Sequence, residues 1–135
     1  MKLPITPEMR AFLAEPRFGV VGTTNPNGSP HLTAMWYLYE GDEIVFNTAR
    51  GRLKDRNLQR DQRASFIVAE GYKFVRIDGR VTIVDEAARG QADIRAMAIR
   101  YHGRERGEQM SRETFSQQER ISYRLNAREV YAQGF

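Results

Sequence analysis

A chain of 135 residues, 41% hydrophobic and 28% charged, has the composition of one globular domain. It lacks any apolar run near the ~20 residues of a membrane-spanning helix, and without cysteine it excludes disulfides, thiol chemistry and cysteine-held metals. The net charge is +4, and three of the 21 basic residues are lysine (Lys2, Lys54, Lys73), leaving 18 arginines. Met1 to Arg10 has no signal-like apolar stretch, so the cytoplasm is the expected compartment and no membrane partner is expected.

Thr6-Pro7-Glu8 predicts a helix start: Thr6 caps, Pro7 suits the first position, and Glu8 complements the dipole. Met9, Phe12 and Leu13 share its inner face, and Pro16 ends it. Phe18 to Thr24 reads as a strand, Asn25-Pro26-Asn27-Gly28 as a turn. Pro30 to Tyr39 alternates as one strand with apolar groups on both faces, which suits burial on both sides or a face turned to a ligand or partner. Glu40-Gly41-Asp42 turns the chain into a strand over Glu43 to Thr48.

After the loop Ala49-Arg50-Gly51-Arg52, a helix is expected from Leu53 to Arg60, with Leu53, Asn57 and Leu58 inward. Ala64 to Ala69 and Val75 to Ile83 read as strands, and Glu86 to Tyr101 as a helix. His102 to Arg112 is polar and contains glycine, so it reads as a loop that either covers a cleft or simply connects. A short helix over Thr114 to Arg120 and a last strand from Tyr123 to Tyr131 complete the chain. Six or so strands, mostly in hairpin order with flanking helices, favour an antiparallel barrel or sandwich over a doubly wound parallel sheet.

One segment carries chemistry. A strand ends at Asn47-Thr48, a glycine-containing loop follows, and a helix begins near Leu53. A helix N-terminus leaves backbone N–H groups free and attracts anions. Arg50, Arg52 and Lys54 stand at that end, where cations oppose the dipole, so helix stability does not account for them. A phosphate would; a solvated basic turn is the alternative.

The run Arg52-Leu53-Lys54-Asp55-Arg56-Asn57-Leu58, followed by Arg60-Asp61-Gln62-Arg63-Ala64-Ser65, resembles the cofactor-phosphate loop of the pyridoxamine-phosphate-oxidase-like superfamily. It is closest to the branch that uses the deazaflavin coenzyme F-420. Asn27-Gly28-Ser29-Pro30-His31 before the Trp36 strand and Asp78-Gly79-Arg80-Val81 also fit. The resemblance implies a split β-barrel homodimer with a cofactor cleft at each of two places along the interface. It implies that Arg52 and Lys54, with Arg50 nearby, hold the phosphate, that Asn47 and Thr48 contact the polar chain, and that Thr33, Ala34, Met35 and Trp36 lie against the ring. FMN-using oxidases of the superfamily usually carry Arg where this chain has Leu53, which favours F-420 with FMN as the alternative. No counterpart of their C-terminal substrate motif is visible in Tyr123 to Phe135, which argues against pyridoxamine phosphate oxidation.

The expectation is therefore an oxidoreductase passing hydride from reduced deazaflavin to a conjugated small molecule. Such chemistry resides in the cofactor, which agrees with the lack of a triad and of metal-ligand spacing between His31 and His102. The alternatives are an FMN-binding reductase or oxidase-like protein, or a non-catalytic binder of a cofactor, haem or another tetrapyrrole. Acidic residues spread among the arginines argue against a nucleic-acid partner.

Overall fold

A computed structural model describes residues 4–135. Helix α1 (Pro7–Ala14) is capped as expected, Thr6 Oγ1 accepting from Met9 N at 3.2 Å, and it buries Met9, Phe12 and Leu13. The strands are β1 (Gly19–Thr24), β2 (Pro30–Met35), β3 (Leu38–Glu40), β4 (Glu43–Ala49), β5 (Arg63–Glu70), β6 (Lys73–Val84), β7 (Arg120–Asn126) and β8 (Glu129–Gln133). The helices after α1 are α2 (Leu53–Arg60), α3 (Ala87–His102) and α4 (Arg104–Glu113), with a 3-10 turn at Phe115–Gln117.

All pairings are antiparallel, in the order β2-β1-β5-β6-β7-β4-β3, with β8 also on β6. The twelve-residue β6 joins two curls. Its first part pairs with β5 and β8, and Val81–Val84 pairs with β7. The two ends of the order, β2 and β3, are consecutive in the chain, so the sheet curls until the end of one edge strand lies two residues from the start of the other: a split barrel. The interior holds Tyr37, Phe46, Phe66 and Tyr123, with Phe46 stacked on Tyr123 at 5.2 Å. Tyr37, buried at the gap between the edges, donates its hydroxyl to Leu13 O at 2.8 Å and so ties α1 to the barrel.

Four expectations need correction. The strand expected from Pro30 to Tyr39 breaks at Trp36-Tyr37, because the chain there crosses from one sheet edge to the other. The expected last strand is a hairpin whose turn, Ala127-Arg128, contains neither glycine nor proline and gave no composition signal. Leu53 is 37% exposed rather than inward, whereas Asn57 and Leu58 are fully buried. His102 to Arg112 is not a loop: Gly103, at φ +86°, ends α3, and α4 follows at once. Gly107 lets α4 lie against α3, since a Cβ there would sit 2.5 Å from Ile99 N.

A candidate cofactor cleft

A cleft of about 450 Å³ opens between β2, the start of α2 and α3. Thr33, Ala34, Met35 and Trp36 form one wall. As β2 is an edge strand, residues pointing both ways along it reach the opening. Ile94 and Met97, one turn apart on α3, form an apolar floor with Phe115 beside them. Trp36 is fixed by stacking on Tyr101 at 5.5 Å and by an edge contact with Phe115 at 6.2 Å.

The opposite end is cationic. Arg52, the N-cap of α2, and Lys54 in its first turn line the cleft with Arg120 of β7. Lys54 is 8% exposed and Arg120 6%, yet neither has an ion-pair partner among the described residues, and no carboxylate lines the cleft. Burial, reinforced by Arg52 and Arg120, holds the Lys54 ammonium below its ordinary value. Burial and Arg52 push the Arg120 guanidinium down to about 10, so it remains charged at neutral pH. Three converging cations without a counter-charge are unfavourable in an empty protein and favourable around an anion.

The loop that presents Arg52 and Lys54 is braced from within. Asp55 accepts from Gly51 N at 2.8 Å, from Gln59 Nε2 at 3.2 Å and from the buried Tyr123 hydroxyl. Burial works to raise the Asp55 carboxyl, but these hydrogen bonds outweigh it and hold it below its usual value. Asn57 anchors α2 to β1 through Thr23 Oγ1 at 3.1 Å and Asn25 Oδ1 at 3.0 Å.

Seven of the nine residues singled out in the sequence thus meet at one cleft: Thr33, Ala34, Met35, Trp36, Asn47, Arg52 and Lys54. Thr48 and Arg50 do not line it. Successive strand residues face opposite ways, so with Asn47 on the cleft side Thr48 points into the barrel, fully buried. Arg50 is held by Glu119 Oε2 at 2.7 Å and Asp85 Oδ1 at 2.5 Å. Phe18, Ile94, Met97, Phe115 and Arg120 were missed. The i, i+3 spacing of Ile94 and Met97 is the signal that could have found them, but nothing local distinguishes Arg120 among 18 arginines.

A curled antiparallel half-barrel, with a cationic loop and helix N-terminus at one end of an apolar cleft, defines a split-barrel protein. The chain belongs to the pyridoxamine 5'-phosphate oxidase family, whose model matches residues 5–134. A conserved hypothetical protein of Mycobacterium tuberculosis is 29% identical, with a TM-score of 0.82 over 97% of this chain and 85% of that one. A structure described as an F-420 reductase shares the fold at 21% identity and a TM-score of 0.73, covering 96% of this chain and 98% of its own. The heme storage protein HutZ of Vibrio cholerae shares it at 17% identity and a TM-score of 0.70, covering 98% and 97%. No curated protein matches the chain.

Proposed function

We propose that the cleft holds the deazaflavin coenzyme F-420 and that the protein is a reductase acting on a conjugated small molecule. The observation that carries this reading is the convergence of Arg52, Lys54 and Arg120, free of any carboxylate, at the end of a cleft floored by Ile94 and Met97. A planar ring with an anionic tail has that distribution of polarity. Arg52 and Lys54 would hold the phosphate, the first as a fork of donors and the second as a point charge. The Thr33–Trp36 edge and the α3 floor would hold the ring and keep water from it. When bound, the cofactor supplies hydride transfer.

FMN is the second reading, since the same cations suit a phosphomonoester. Leu53 weighs less against it than the sequence suggests, being exposed and outside the cleft. Haem storage is less well supported: neither His31 nor His102 lines the cleft. The test is titration with F-420 and FMN separately. Micromolar or tighter binding of F-420 supports the first reading, preference for FMN the second, and binding of neither contradicts both.

We also propose that the protein is a homodimer whose second copy covers β2. Leu32, 67% exposed, lies on β2, whose outer edge has no partner strand among the described residues, and Phe18, 65% exposed, precedes β1 and stands at the cleft. Burying both against a second copy would remove two exposed apolar side chains and an open edge together.

A further inference from the structure

Arg120 stands at the head of a hydrogen-bond chain that runs one way through the protein. Its Nε donates to Asn47 Oδ1 at 2.8 Å, Asn47 Nδ2 donates to Ser122 Oγ at 3.0 Å, and the Ser122 hydroxyl donates to Asp93 Oδ2 at 2.6 Å. The Asn47 amide also donates to Gly90 O at 2.9 Å, so both its protons are engaged and its oxygen is aimed at Arg120. All four side chains of the chain are buried. Asp93, at the far end, is paired with Arg89.

This arrangement holds a guanidinium without neutralising it. A carboxylate directly against Arg120 would cancel its charge. Here two neutral groups separate it from Asp93, and its Nη1 is held by another neutral oxygen, Gln118 Oε1, at 2.8 Å. Nη2 has no hydrogen-bond partner among the described residues, and the guanidinium lines the cleft. Asn47 is therefore a positioning residue, its amide protons unavailable to a ligand.

We infer that Arg120 is a third anion-binding residue of the cleft, held by the Asn47–Ser122–Asp93 chain, and that the site selects ligands carrying at least two negative charges. A phosphomonoester qualifies, as does a phosphodiester with a nearby carboxylate. The inference rests on the cleft being the cofactor site.

The test is titration of wild type, Lys54→Ala, Arg120→Gln, Arg120→Lys and Ser122→Ala with coenzyme F-420 and FMN over a range of salt. Hydrogen bonds to charged groups set the expected loss for Arg120→Gln at about 10-fold or more. The same variant should flatten the dependence of affinity on salt, because one cation is gone. Ser122→Ala and Arg120→Lys should weaken binding several-fold with the salt dependence intact, since they disturb the position of the charge and not its presence. Arg120→Gln binding as wild type does, with the same salt dependence, would overturn the inference. Should that variant fail to fold, unchanged affinity in Arg120→Lys and Ser122→Ala would do so. Loss of binding in Lys54→Ala but not in Arg120→Gln would leave the cofactor site standing and remove Arg120 from it. A wild type that binds neither ligand would overturn both.

Discussion

Lys54 sits in the first turn of α2, buried and without an ion-pair partner among the described residues, with its ammonium pulled below the ordinary lysine value chiefly by burial. The sign of the consequence follows. Between the lowered value and that of the unfolded chain the folded state binds fewer protons, so ligand-free stability gains from Lys54 as pH rises through that window. Binding of an anion has the opposite trend, because it needs the proton that Lys54 loses there. Affinity for the anionic cofactor should fall as pH climbs through the lowered value, which titrations across the alkaline range would check. Lys54→Ala should cost about 1.5–3 kcal/mol of cofactor affinity, the scale of a charged hydrogen bond. Its melting temperature should not drop, since the variant removes a buried unpaired charge. Arg50→Ala should leave affinity unchanged, because Arg50 is engaged by Glu119 and Asp85 outside the cleft. Weakened binding in that variant would return Arg50 to the site.

At the scale of elements, α3 is the piece that turns a barrel into a cleft. It lies against β7 through Gly90, where an added Cβ would fall 2.0 Å from Arg120 O. Gly90→Ala must push α3 away from β7 and disturb both the Asn47 bond to Gly90 O and the Ile94–Met97 floor. Overpacking of this kind costs about 1–3 kcal/mol, read as a lower midpoint in denaturant unfolding, with weaker cofactor binding alongside. An unchanged midpoint would mean that α3 yields freely. The same contacts explain what the sequence could and could not reveal. Strand alternation, the Thr6-Pro7 helix start and the basic loop are local patterns, and they located α1, β1, β4, β5 and the α2 end of the cleft. Helix α4 was hidden because its glycines read as loop, when Gly107 is the surface by which α4 packs on α3. The strand break at Trp36-Tyr37 and the role of Arg120 depend on which sheet edge or buried amide the chain meets, and neighbouring residues do not encode that.

For the whole molecule, the sheet leaves β2 as an open edge with Leu32 facing solvent, and the proposed dimer covers it. Light scattering of the wild type should give twice the chain mass, and Leu32→Glu should shift the protein toward monomer with weaker cofactor binding. A monomeric wild type with full affinity would remove the second copy from the cleft. Fold and family leave the cofactor open, as one architecture serves several chemistries. Charge limits the proposed ligands to anionic ones, since the cleft joins a cationic end to an apolar wall, and F-420 and FMN both meet that condition.

The most direct measurement is a binding titration of coenzyme F-420 and of FMN into wild type and Lys54→Ala. The cationic cleft predicts micromolar or tighter binding of F-420 to the wild type, and about 10-fold or greater weakening in the variant, in line with a lost charged hydrogen bond. Equal affinity in the two proteins, or no binding of either ligand to the wild type, would contradict it.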